Sequence, residues 1–405
     1  MNAVRATIIA EQTLRFETFK LPKKLTEGQV LVQTERTVVS AGTELANYTG
    51  LESDTREKGA WCEYPWTPGY GGVGRVLAVG PGVQKINPKV TPGARVYGIF
   101  KHASHALVDL GWELCVPVPD DLDSTEAVLG RMCGVAITAY QRARVTLGDT
   151  VVVFGLGMVG NLAGQFFARA GADVIGLDIS ASRRALASQT GFGETLDPAG
   201  LSEERLLARL LKRADGARPA VVVDAVGDSR IIERAAQIVA DNGQVILLGT
   251  PRAPYHTDST ALLKRVHFHG VSVVGALEWT IPLLKRQSRG VSTEANTELI
   301  FRLIASGGLQ VLPLCSHILP PADLDSAYQG LLHQKDTYLG VVLDWENHPP
   351  PVSEKPGRKA ANKRAAAPPP APAPRARDAA RANGVSKASG VSGGKAQETE
   401  APAAS

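Results

Sequence analysis

The chain has 405 residues, 44% hydrophobic and 21% charged, a water-soluble balance with room for two ordinary domains. Its formal charge of +4 is uneven: ten Lys/Arg and four Asp/Glu lie from Asn347 onward, a tail of +6, which leaves 34 basic and 36 acidic residues, net −2, in the body. A near-neutral body argues against a nucleic-acid-binding surface, and no apolar run reaches the roughly eighteen residues of a membrane span.

In chain order, residues 1–134 hold short β-branched runs punctuated by Gly and Pro: Val30-Leu-Val-Gln, Thr37-Val-Val-Ser, Gly72-Val-Gly-Arg-Val-Leu-Ala-Val and Ala94-Arg-Val-Tyr. With turn signals at Pro81-Gly82 and Pro92-Gly93 these predict an antiparallel, barrel-type β domain. From Thr150 to about Gly275 apolar strands (Val151–Phe154, Asp173–Leu177, Ala220–Asp224, Gln244–Leu248) alternate with helical stretches, which predicts a doubly wound parallel sheet. The segment from about 276 is mixed and ends in the strand Gly340–Asp344. The expected fold is therefore α/β: a nucleotide-binding type of sheet over 135–275, a β-rich domain from 1–134 and 276–346, and a tail over 347–405. That tail is Pro, Ala, Gly, Ser and Lys/Arg with almost no large apolar residues, a composition that predicts disorder. Met1–Ala10 carries one Arg and no apolar segment leading to a small-residue cleavage site, so no signal peptide is expected. Cys62, Cys115, Cys133 and Cys315 are scattered without paired spacing, which suits reduced thiols and a cytoplasmic location.

The most specific motif is Val151-Val-Val-Phe-Gly155-Leu-Gly157-Met158-Val159-Gly160, an apolar strand running through G-x-G-x-x-G into a helical stretch. Gly155 would make the tight turn, Gly157 would let backbone approach a pyrophosphate, and Gly160 would allow close helix–strand packing. The anion then sits at the helix N-terminus, among free N–H groups including those of Met158 and Val159. Asp178 ends the second strand eighteen residues after Gly160, where an acid would accept from the adenosine ribose. That favours NAD over NADP, although Arg183 and Arg184 stand near enough to serve a 2′-phosphate. Val226 and Gly249 follow the next two strands, at the ends where the nicotinamide half would lie.

Three further segments, Pro68-Gly-Tyr-Gly-Gly-Val-Gly74, Leu147-Gly-Asp149 and Val223-Asp-Ala-Val-Gly227, together with the fingerprint, resemble the medium-chain dehydrogenase/reductase superfamily over about residues 1–345. The resemblance implies a GroES-like catalytic domain beside the Rossmann domain, hydride transfer between a nicotinamide cofactor and a small-molecule substrate, and a homodimer or higher homo-oligomer. Zinc enzymes of the superfamily bind metal through Cys in Cys-Gly-Ser/Thr-Asp, His in Gly-His-Glu, and a Cys or Glu about 25 residues before the fingerprint. Here those positions read Ala41-Gly-Thr-Glu44, Gly69-Tyr-Gly71 and Gly130. Ala and Gly cannot ligate and Tyr is a poor zinc ligand, so no zinc is expected unless Cys62, His102, His105 and Cys133 rebuild a site.

Without metal, another group must stabilise the substrate oxygen and exchange its proton. The resemblance puts Thr43 at the family's hydroxyl relay and Tyr70 in the same cleft. His102 and His105, in Lys101-His-Ala-Ser-His105, fall on a strand that lines the site in relatives, and Arg131 could bind a carboxylate or cofactor phosphate. Glu44 is expected to orient its neighbours. The segment Ser40-Ala-Gly-Thr-Glu44 also resembles a subgroup with the bacteriochlorophyllide hydroxyethyl dehydrogenases, which favours hydroxyl-to-ketone chemistry. Two other readings share the fingerprint: an NADPH-dependent quinone- or enoyl-type C=C reductase, and a catalytically inactive dinucleotide-binding protein whose basic tail contacts a polyanion.

Overall fold

A computed structural model describes residues 2–213, 216–288 and 290–348. Of the basic tail, only Asn347 and His348 fall among these; the expected disorder from 349 onward lies outside the described residues.

Fifteen strands occur among the described residues. The N-terminal half supplies β1 (Asn2–Ala10), β2 (Thr13–Lys20), β3 (Gln29–Val38), β4 (Gly72–Val79), β5 (Arg95–Gly98), β6 (His105–Asp109) and β7 (Cys115–Pro117). The middle supplies β8 (Thr150–Phe154), β9 (Asp173–Leu177), β10 (Glu194–Leu196), β11 (Val221–Asp224), β12 (Gln244–Leu247) and β13 (Ser272–Gly275), and the end supplies β14 (Cys315–Leu319) and β15 (Gly340–Asp344).

The middle strands form a six-stranded sheet in the order β10-β9-β8-β11-β12-β13, with every pairing parallel. The chain runs outward from β8 in one direction and then from β11 in the other. The switch point between β8 and β11 opens a crevice at the strands' C-terminal ends, the place where such sheets take ligands. Continuous runs such as Val151-Val-Val are fully buried because helices cover both faces. Six strands form where four were expected: β10 has three residues, and β13 is a half-exposed edge with little to mark it in sequence.

The second sheet has the order β14-β15-β3-β4-β5-β7, with β6 also on β3. Val30–Gln33 and Thr37–Val38, read separately in sequence, belong to one strand that a bulge near Thr34–Arg36 divides. The final strand returns to this sheet through Val342↔Val38. A hairpin, β1–β2, completes the strands.

One helix links the two sheets. Ser124–Arg142 starts at a capping box of Asp123 and Glu126. It packs on the helices Met158–Arg169 and Thr293–Ala305 and on β3, β4, β12 and β15. Its buried Ala127, Val128, Leu129, Met132, Cys133 and Ala136 join the largest apolar core. Whatever this helix presents between the sheets is therefore held rigidly.

Candidate active site

The crevice has two halves. The first is the fingerprint turn between β8 and the helix Met158–Arg169. Gly155 has φ +86°, a conformation that costs a side-chain-bearing residue strain. A Cβ on Gly160 would lie 1.8 Å from the Gly155 carbonyl oxygen, so only glycine lets the helix approach the turn. Gly157 is the helix N-cap and Met158 its first residue; no side chain caps this end, which leaves its N–H groups for an anion. Met158 is buried and Val159 half-buried against the central core, so both hold the helix by packing. The residues present thus fit a dinucleotide pyrophosphate.

Asp178 follows β9 and is 8% exposed. Its Oδ2 accepts from Leu156 N at 2.7 Å and its Oδ1 from Ser180 N at 2.8 Å. It therefore ties the glycine turn to the second strand, a duty beyond the ribose contact expected of it. Arg183 reaches across the turn, with Nη1 3.9 Å from Asp178 Oδ2 and 3.9 Å from where a Cβ on Gly157 would be. Arg184 instead donates to the carbonyls of Asp178 and Ile179. On the far side of the crevice Val226, 54% exposed, overhangs Gly155, and the loop through Gly249 packs against the backbone of Gly227. Asp224, fully buried, shapes that loop by accepting from Val226 N and Gly227 N; burial raises its pKa.

The second half lies against the helix Ala41–Tyr48 and the segment before β4. Tyr70 Oη is hydrogen-bonded to Ser40 Oγ, and the Thr43 hydroxyl is a second partner. Thr43 and Tyr70 are thus adjacent, with Ser40 as a third hydroxyl. Burial raises the Tyr70 pKa, against the opposing influence of the Arg131 cation and these two hydroxyls. The phenol is therefore protonated at neutral pH. Just beyond the C-terminal end of β13, Glu278 and Trp279 close the other side: the Trp279 ring meets Tyr70 at 6.0 Å.

Three expectations are corrected. His102 is fully buried rather than lining the cleft, with Nδ1 2.8 Å from Thr37 Oγ1 and Nε2 2.9 Å from Glu44 Oε2. Glu44 also accepts from Ser40 N at 2.9 Å and Tyr328 Oη at 2.7 Å, so His102 and Glu44 fix the backbone under Ser40. His105, on β6, is 8% exposed and opposes Gln33; its Nδ1 meets Ser104 Oγ at 3.0 Å, and burial lowers its pKa. Nothing brings it to Tyr70. Arg131 is 1% exposed rather than open to a carboxylate or phosphate, and it forms a bidentate ion pair with Glu278.

The three vacated ligand positions give no donor set for zinc. Ala41 has no ligating atom, and Tyr70 Oη is engaged by hydroxyls. A side chain at 130 would meet Ile300 and Phe301 at 3.4 Å, in the core between helices. Cys62 and Cys133 are buried in two different apolar clusters, and no group of three or more metal-binding side chains occurs among the described residues. No helix among them is long and apolar enough to cross a membrane.

Residues 158–286 match the family model described as zinc-binding dehydrogenase. An alcohol dehydrogenase of Geobacillus stearothermophilus is 27% identical over 309 residues, 68% of this chain and 85% of that protein. The 2-desacetyl-2-hydroxyethyl bacteriochlorophyllide A dehydrogenase of Cereibacter sphaeroides is 26% identical over 331 residues, 78% and 91% of the two chains. Among solved structures, galactitol-1-phosphate dehydrogenase of Escherichia coli superposes with a TM-score of 0.69 at 19% identity, covering 84% of this chain and 99% of that one. With the fingerprint crevice and the sheet that the last strand completes, these similarities support an alcohol dehydrogenase-like oxidoreductase of the medium-chain dehydrogenase/reductase type.

Proposed function

We propose that the chain is a zinc-independent, NAD(H)-dependent oxidoreductase that interconverts a hydroxyl and a ketone on a small or specialised metabolite. The observation that carries this reading is the Tyr70–Ser40–Thr43 hydroxyl cluster, which stands where relatives would place metal ligands. A bound dinucleotide supplies or accepts the hydride. The chain's own residues do the rest. The glycine turn and the N–H groups of Met158 and Val159 hold the pyrophosphate, while Val226 and Gly249 border the nicotinamide half. Tyr70 Oη donates a hydrogen bond to the substrate oxygen and, in reduction, gives it the proton; Ser40 and Thr43 then stabilise the phenolate.

NAD is favoured over NADP because a 2′-phosphate would face the Asp178 carboxylate, and the adjoining Arg183 is already drawn to that carboxylate. The four free cysteines suit a reducing cytoplasm. The edge strand β13, with Val273 40% exposed, suits pairing with a second copy in a homodimer. The basic tail would add at most a weak contact to a polyanion.

The test is a turnover panel of secondary alcohols, ketones and enones with NADH and NADPH, using wild type and Tyr70→Phe. Ketone reduction with NADH that falls at least about a hundredfold in Tyr70→Phe is expected. Enone reduction with NADPH alone would overturn the reading in favour of a C=C reductase. Dinucleotide binding with no turnover of any substrate would favour an inactive binding protein.

A further inference from the structure

The helix that links the two sheets brings a buried cation to the floor of the hydroxyl cluster. Arg131 is almost completely removed from solvent, where a guanidinium persists only if paired. Glu278, from beyond the last parallel strand, supplies the pairing: its Oε1 accepts from Nη1 at 2.5 Å and its Oε2 from Nη2. The Arg131 Cζ also lies 4.6 Å from the centre of the Tyr70 ring and 5.4 Å from that of Trp279. Gly71 makes room for this. A Cβ there would fall 2.4 Å from Arg131 Cγ, so the residue after Tyr70 must lack a side chain for the guanidinium to sit under the phenol. Carboxylate and rings come from segments far apart in sequence and converge on one cation, which a pair serving stability alone does not require.

We propose that Arg131, clamped by Glu278, is the fixed cation of this active site: it positions the Tyr70 ring and stabilises the negative charge that forms on Tyr70 oxygen as its proton leaves. This rests on the reading of Tyr70 as proton donor. In ketone reduction, hydride adds to the carbonyl carbon and the C=O π pair moves to oxygen. That oxygen takes the Tyr70 proton, and the O–H bonding pair stays on the phenolic oxygen. The resulting phenolate sits beside Arg131, hydrogen-bonded to Ser40 and Thr43, until water reprotonates it. Arg131 is thus a positioning residue; it performs the electrostatic part of a metal's task without holding one. Consistently, Arg131 is the strongest influence opposing the rise that burial gives the Tyr70 pKa.

Two variants separate this from a structural role because their shifts have opposite signs. Arg131→Met with Glu278→Leu removes both charges and keeps apolar volume, so no orphan charge remains. Its phenolate is less stable, and the rising limb of the pH profile for alcohol oxidation moves to higher pH by about one unit, a tenfold fall in rate at fixed pH on that limb. Glu278→Gln leaves the cation uncompensated and moves the limb to lower pH. The KM for NAD changes little in both, since neither side chain touches the fingerprint. Arg131→Lys, which keeps the charge, restores the wild-type limb. The same shifts are read independently of turnover by following the Tyr70 ring-carbon NMR signal, assigned with Tyr70→Phe, against pH. Unchanged or same-sign shifts in the two variants overturn the proposal while leaving Tyr70 as donor; full activity in Tyr70→Phe overturns the proton-donor reading itself.

Discussion

Gly160→Ala sets two effects against each other. Residue 160 lies in the first turn of the helix Met158–Arg169, where intrinsic propensity favours alanine by about 1 kcal/mol. Against this, the new Cβ would start 1.8 Å from the Gly155 oxygen, and Cβ contacts under 3.0 Å are essentially never seen. The turn must withdraw by at least 1.2 Å, and a second contact, 3.0 Å to Ala225 Cβ, blocks the helix from rotating away freely. Withdrawal strains Gly155 N→Leu177 O at 2.8 Å and Leu156 N→Asp178 Oδ2 at 2.7 Å. Overpacking of this kind costs about 1–3 kcal/mol, and loosening a hydrogen bond to a carboxylate about 1.5–3, so the close approach outweighs propensity. The pyrophosphate loses its aligned N–H groups. NADH affinity should fall at least about tenfold, ~1.4 kcal/mol, with a lowered melting temperature and an unchanged far-UV spectrum. A nucleotide fluorescence titration measures the first and thermal unfolding the second. An alanine variant that is more stable than wild type and binds NADH within about twofold would refute the close-approach argument.

Other outcomes follow from the same geometry. Wild type should prefer NADH over NADPH by about tenfold or more; Asp178→Ala should narrow that ratio and weaken both, because the Leu156 and Ser180 amides lose their acceptor. A wild-type preference for NADPH in the same titration would make Arg183 the phosphate site. Glu44→Ala strands Ser40 N, His102 Nε2 and Tyr328 Oη together, and should destabilise by about 3–5 kcal/mol; a urea-unfolding change under about 1 kcal/mol would show that the network is relaxed by water. Burial raises the pKa of Tyr70, Tyr97 and Tyr328. Unfolded tyrosines ionise near pH 10, so this contribution to stability is intact below that pH and is lost as pH climbs toward the higher folded values. The fall in melting temperature above about pH 10 should be shallower in Tyr328→Phe, and equal slopes would contradict the assignment.

What sequence reveals here depends on how local the physical demand is. The fingerprint glycines are legible because a tight turn and a helix–strand contact are needed within six residues, and Gly alone meets them. That Ala41 and Tyr70 stand where the zinc enzymes carry ligands is legible for the same reason, residue by residue. The roles of His102 and Arg131 are hidden from local sequence because partners far away set them: Glu44 is 58 residues from His102, and Glu278 is 147 from Arg131. Periodicity places them on a strand-like segment and a helix, but does not say which neighbour neutralises them. Ser40 and the Glu278–Trp279 pair left fainter traces. Ser40 directly precedes the Ala41–Tyr48 helix, and Glu-Trp follows the Val273-Val-Gly run, just past a strand end in the ligand crevice. Short, half-exposed strands such as β10 and β13 lack the apolar run that made β8 and β11 readable.

Hydride transfer supported by Tyr70 rather than by zinc is tested by measuring NADH-dependent ketone reduction and metal content on the same sample, before and after exhaustive dialysis against a chelator. Well under one zinc per chain is expected, with a turnover rate that dialysis leaves unchanged. Stoichiometric zinc, with activity that is lost on its removal and returns on its restoration, would contradict it.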